Sequence, residues 1–91
     1  MNFQWDARKA ALNWRNHRVS FEEAITAFED PLARVFDDTA HSDEESREVL
    51  VGYSSGTRLL LVSFTERDDF VRLISARAAT SREQRNHEEN I

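Results

Sequence analysis

Residues 59–64 and 70–76 are two apolar runs joined by a short polar link, and an arginine lies just past the end of each. That link is too short and too polar for anything but a tight turn, so the runs, read as strands, make a hairpin. Arg67 then sits at the turn and Arg77 at the far end of the second strand. Guanidinium groups on rigid strands bind phosphate or carboxylate through paired hydrogen bonds. The hairpin therefore points toward a nucleic acid or an acidic partner.

The rest of the chain supplies strands and helices around this hairpin. Residues 3–5 alternate and read as a short strand. Asp6 reads as the N-cap of a helix over residues 7–16, with Ala7, Ala10, Ala11 and Trp14 as its apolar face and Asn16 or His17 closing it. Ser20 and Glu23 form a capping box, and Phe21, Ala24, Ile25 and Phe28 repeat at helical spacing, so these apolar side chains are assigned to the core. Asp30-Pro31 stops this second helix. Residues 32–36 and 48–53 read as strands separated by a polar loop over 39–46, and Ser54-Ser55-Gly56 turns the chain into the hairpin. Thr80 to Glu83 is a second capping box, opening a terminal helix that carries almost no apolar side chain and gains little from burial. The order β-α-α-β-β-β-β-α predicts an α+β fold, with helices packed on one face of an antiparallel sheet and the other face open to a ligand.

At 91 residues the chain reads as a single domain, 1–91, able to bury roughly 65% of its unfolded surface. It has no cysteine, which excludes disulfides and thiolate metal sites and fits a reducing cytoplasm. No apolar run approaches the roughly 20 residues of a membrane span, and no signal-peptide pattern opens the chain. The net charge of −5 argues at first against nucleic acid. However, residues 30–48 hold seven acids against two arginines, while the flanking segments are balanced. The acidity is one local block, read as a solvated loop or a docking surface for a basic partner, and a basic patch can form elsewhere. All basic residues but Lys9 are arginine.

The chain resembles the BrnT family of bacterial ribonuclease toxins over nearly its whole length. The resemblance rests on Phe3-x-Trp5-Asp6-x-x-Lys9-Ala10-x-x-Asn13, His17, and Val19-Ser20-Phe21-Glu22-Glu23-Ala24. It runs on through Asp30-Pro31, His41-Ser42, Arg47, Gly52-Tyr53-Ser54 and Arg58-Leu59-Leu60. It is strongest at Phe64-Thr65-Glu66-Arg67 and Ile74-Ser75-Ala76-Arg77, and the tail Arg82-Glu83-x-Arg85-x-x-Glu88 also fits. It implies a RelE-like fold, RNA cleavage that arrests translation, and neutralisation by a BrnA-type antitoxin that brings operator DNA into the complex only indirectly. The family often has Lys-His-Gly where this chain has Asn16-His17-Arg18. Loss of that glycine places Arg18 where a left-handed conformation is needed, at a cost of about 1 kcal/mol unless Asn16 takes that role. His87 stands where a tyrosine is common.

RNA cleavage without a metal needs a base for the 2′-OH, cations for the crowded phosphate and an acid for the leaving oxygen. Arg67 and Arg77 are the first candidates for the phosphate, against a structural reading as ion pairs with Glu66, Asp68 or Asp69. Lys9 and His17, on the first helix, are candidates for charge and proton transfer, although a histidine at a helix C-terminus also serves the dipole. Glu66 is a candidate base that could instead pair with Arg67. Arg58, Arg72 and Tyr53 are candidates for holding RNA. No pair of histidines has ligand spacing, so no metal or cofactor is expected. A non-catalytic protein- or nucleic-acid-binding module remains the competing reading.

Overall fold

The computed structural model describes residues 1–38 and 46–90. Its elements are β1 (Phe3–Gln4), α1 (Ala7–His17), α2 (Phe21–Thr26), a 3₁₀ turn (Ala27–Glu29), β2 (Arg34–Asp37), β3 (Arg47–Tyr53), β4 (Leu59–Glu66), β5 (Val71–Ala78) and α3 (Ser81–Glu89). The element order matches the sequence reading, with bounds shifted by a residue or two. The polar loop, the acids Asp43, Glu44 and Glu45, and His41 lie outside the described residues.

The five strands form one sheet in the order β1-β5-β4-β3-β2. It is mixed rather than antiparallel. β2 to β5 form an antiparallel meander, but β1 pairs parallel with β5 through Phe3 opposite Val71 and Gln4 opposite Arg72. Parallel pairing follows from the crossover, since α1 and the rest of the chain intervene between the two strands.

One face of the sheet is the core. Leu50, Leu60, Val62, Phe64, Val71, Leu73 and Ala76 meet Val19, Phe21, Ala24 and Ala27 there, all at most 5% exposed. Edge-to-face rings extend this contact outward, with Phe28 against Phe64 at 5.2 Å and Phe3 against Phe28 at 4.9 Å. The 3₁₀ turn presses so closely on β3 that a Cβ at Gly52 would stand 2.8 Å from the Ala27 carbonyl oxygen, which leaves room only for glycine.

α1 packs differently from its apolar pattern. Of Ala7, Ala10, Ala11 and Trp14, only Ala10 reaches the core, and Trp14 is 49% exposed. The buried residue is Asn13. Its Nδ2 donates to the carbonyls of Val19 and Ala76, both at 2.8 Å, and its Oδ1 accepts from the Ala76 N–H at 2.9 Å. The amide thus completes the free edge of β5 where β1 has ended, a polar solution that hydrophobic spacing cannot reveal. α1 closes with Arg18 in the left-handed region, at φ 55°, so Asn16 does not take that role.

The second face is not wholly open, because α3 folds back over part of it. Arg77 Nη1 and Nη2 donate to Glu83 Oε1 and Oε2, each at 2.8 Å, and the Tyr53 hydroxyl donates to Glu88 at 2.8 Å. His87 is buried with its ring against Tyr53. The terminal helix is held by polar and aromatic contacts instead of apolar ones. Its Thr80–Glu83 capping box is complete. At α2, Ser20 accepts from Glu23 N–H, but the Glu23 carboxylate turns away to Arg58 and Ser54. No helix among the described residues is long and apolar enough to cross a membrane.

Candidate functional site

The strand register arranges the second face into rows of side chains. Phe36, Val49, Ser63 and Ser75 are successive cross-strand partners and form one row. On one side of it Arg34, Val51, Leu61 and Arg77 form a second. On the other side Arg47, Thr65 and Arg72 form a third. The middle row is low because two of its four residues are serines.

A bulge makes this arrangement possible. β5 carries an extra residue at Ile74, so Ser63 pairs with Ser75 while Phe64 pairs with Leu73. Arg72 and Arg77 are five apart and would point to opposite faces of a regular strand. The bulge reverses the alternation between them and brings both to the open face. The burial pattern records the slip, with Val71, Leu73 and Ala76 buried on the core side.

At the β5 edge the open face becomes a cleft of about 230 Å³, lined by His17, Asp38, Val49, Leu61, Ser63, Ser75, Ala76 and Arg77. His17 reaches it because α1 is pinned to β5 by Asn13, and His17 lies one turn further along the same stripe. Lys9 lies one turn back on that stripe and is exposed, roughly 12 Å along the helix from His17. Arg77 is fixed at the other side of the cleft by its ion pair with Glu83. That pairing holds the Glu83 carboxyl down to about 2, first through the hydrogen bonds from Arg77 and then through the Thr80 backbone. It also raises the Arg77 guanidinium above its ordinary value.

The candidates therefore divide. His17 and Arg77 meet in the cleft, and Arg72 shares their face. Glu66 does not, because it lines a groove on the core side with Leu50, Phe64 and Val71. Arg67 opens the turn closed by its N–H to the Phe70 carbonyl at 2.8 Å. It lies six residues along β4 from Leu61, the partner of Arg77, a separation of roughly 20 Å. Arg67 and Arg77 thus stand at opposite ends of the hairpin and cannot grip one phosphate.

Arg58 is committed to the fold. Its Nε and Nη2 bind the Glu23 carboxylate at 2.9 and 2.8 Å, and Nη2 also donates to the Arg18 carbonyl at 2.7 Å. The clamp fastens the end of α1 and the start of β4 to α2, and it lowers the Glu23 carboxyl from its ordinary value. Tyr53 is likewise engaged with α3, and its bond to Glu88 raises its hydroxyl. Neither serves the open face directly.

Sequence reasoning missed Ser63, Ser75 and Asp38, the first two because serines in a strand carry no signal without the register. The partner of Arg77 was also missed, although Glu83 was already marked by its capping box. Among the described residues no three His, Cys, Asp or Glu side chains gather to hold a metal ion.

A family model for the ribonuclease toxin BrnT of type II toxin–antitoxin systems matches residues 5–83. The crystal structure of the Brucella abortus ribonuclease toxin BrnT is similar, with a TM-score of 0.69 and 23% sequence identity over 89% of this chain and 99% of that one. No curated protein sequence matches the chain.

Proposed function

We propose that this chain, which belongs to the BrnT family of ribonuclease toxins of type II toxin–antitoxin systems, cuts RNA at the cleft between His17 and Arg77 without a metal ion. One observation carries this: the β5 bulge and the Asn13 anchor bring a proton-transfer group and a fixed guanidinium to opposite sides of one groove.

The reaction those groups suit is transesterification. The 2′-oxygen loses its proton to a base and attacks the neighbouring phosphorus. The P–O5′ bond breaks, the departing oxygen takes a proton, and a 2′,3′-cyclic phosphate and a 5′-hydroxyl result. His17 moves a proton at one of these oxygens. Glu83 takes the Nη1–Nη2 end of the Arg77 fork. The Nε–H and the outer Nη2 hydrogen form a second two-donor edge, the one suited to the phosphate oxygens. Because Glu83 already fixes the guanidinium, little side-chain freedom is lost when phosphate binds.

Arg72 and Arg47 on the far side of the middle row, with Arg67 beyond them, contact backbone phosphates away from the scissile bond. Lys9 holds the strand as it passes α1. Arg67 thus positions RNA and takes no part in the chemistry, Glu66 on the core side does not act as the base, and Arg58 and Tyr53 hold the fold and not the RNA.

The helices preceding a four-strand antiparallel meander support a RelE-like classification, with residues 1–91 acting as one toxin domain in the cytoplasm. The natural partner is a BrnA-type antitoxin that covers the arginine face or the acidic block and carries the operator DNA contact itself. One observation favours a non-catalytic binding module instead, namely that half of the Arg77 fork is already occupied. The discriminating experiment is cleavage of a defined RNA with and without EDTA, with end-group analysis. Undiminished cleavage in EDTA with cyclic phosphate ends supports the proposal. Binding without cleavage supports the module.

A further inference from the structure

We propose that Phe36, with the Arg34 guanidinium over its ring, is a nucleobase-stacking subsite for single-stranded RNA, a few nucleotides from the bond cut at His17 and Arg77. The proposal rests on the function just described and extends it along the same face.

Phe36 lies on the edge strand β2 with 47% of its surface exposed, whereas Phe21 and Phe64 are buried in the core. The Arg34 guanidinium carbon stands over the ring, 5.2 Å from its centroid, a cation–π arrangement that takes one face of the ring and leaves the opposite face as the one a base would stack on. Both groups look onto the open face, since they line a hollow with Val51, Leu61 and His87. Leu61 also lines the cleft of His17 and Arg77, so the two depressions adjoin at that side chain.

The register supplies the path. Phe36, Val49, Ser63 and Ser75 lie in one line across four strands, three inter-strand steps or roughly 14 Å from end to end. The two serines keep the cleft end of that line low. Arg34 and Arg77 border it on one side, and Arg47 and Arg72 on the other. Four cations beside a polar trough that ends in an exposed ring suit a backbone track with a stacking platform. Among the described residues, the acids at this face include Glu83, paired with Arg77, Glu88, paired with Tyr53, and Asp38 at the cleft. A strand crossing the sheet in this direction puts its scissile phosphate at Arg77 and a base on Phe36. Stacking tolerates any base, so the subsite adds affinity and register more than sequence preference.

The experiment combines Phe36→Ala and Phe36→Tyr with short single-stranded RNAs carrying one abasic nucleotide, scanned outward from the cut. Affinity is read by anisotropy of labelled RNA on a His17→Ala background, and KM and kcat are read on the otherwise wild-type chain. Because about half of the ring is buried, Phe36→Ala is expected to melt several degrees below the parent and Phe36→Tyr close to it, so binding is compared at a temperature where all three are folded. With intact RNA, Phe36→Ala weakens binding roughly five- to a hundredfold, mostly in KM, and Phe36→Tyr restores it. One abasic position costs the parent a similar factor and costs Phe36→Ala nothing further. Unchanged affinity in Phe36→Ala, or abasic sensitivity that survives the substitution, overturns the subsite while leaving the nuclease reading intact. Loss of antitoxin capture with RNA affinity preserved also overturns it, since the ring then belongs to a protein interface. Binding without cleavage that shows the predicted abasic pattern upholds the subsite and refutes the cleavage mechanism.

Discussion

A single guanidinium, that of Arg77, joins the terminal helix to the candidate cleft. Its pairing with Glu83 gives a stability signature with a definite sign. The Glu83 carboxyl is held at about 2 in the fold against 4.5 ordinarily, so the pair's contribution is full above about pH 4.5 and is lost as the pH falls toward 2. Both side chains are more than a third exposed, which limits the contribution to about 1 kcal/mol or less. Melting of Glu83→Gln should therefore lie below wild type at neutral pH, with the gap narrowing below pH 4.5 and closing only at about pH 2. A gap that persists in acid would place the helix anchor elsewhere. Arg18 is a second residue-scale test. Its φ of 55° strains a side-chain-bearing residue, so Arg18→Gly should stabilise by about 0.5–1 kcal/mol in denaturant titration, less whatever its contact over Trp14 contributes. That strain was legible only by setting the Asn16-His17-Arg18 run beside the Lys-His-Gly that the resemblance leads one to expect, and Asn16 stood as the alternative. The Arg58 clamp was not legible, because its partner Glu23 lies 35 residues away and looked like one half of a capping box.

Among the elements, α1 and β5 decide where the site lies, and here the sequence was least informative. Period-two and period-3.6 patterns identified the strands and helices in their correct order, because burial imposes those periods directly. They misjudged α1, whose alanines and Trp14 were expected to face the core. The helix runs along the free edge of β5, and backbone hydrogen bonding at that edge outweighs apolar contact. Asn13→Ala leaves the N–H and C=O of Ala76 and the carbonyl of Val19 unpaired in a buried place. It should cost about 2–3 kcal/mol and lower the melting temperature by more than 10 °C in a domain of this size. A loss under 1 kcal/mol would mean that water replaces the amide. The bulge at Ile74 was equally hidden, since one extra residue in a strand changes no composition and no run length. Without it Arg72 and Arg77 would face opposite ways. Deletion of Ile74 should abolish RNA binding in any variant that still folds, whereas Ile74→Val should leave binding within about twofold.

For the whole molecule, the distribution of charge counts more than its sum. The chain carries −5, yet α1 bears Arg8, Lys9 and Arg15 without an acid, and the open face sets four arginines around the row of Phe36, Val49, Ser63 and Ser75. The two ends of the hairpin, which looked equivalent in sequence, are separated by roughly 20 Å, so only one can hold the scissile phosphate. Single-turnover cleavage of a short RNA in EDTA by wild type, Arg77→Ala and Arg67→Ala distinguishes the ends. Arg77→Ala should slow the chemical step by about a hundredfold or more, while Arg67→Ala should weaken binding and leave that step within a few-fold. Full-rate cleavage by Arg77→Ala, with the loss falling on Arg67→Ala, would move the reaction to the other end of the sheet and contradict the site described.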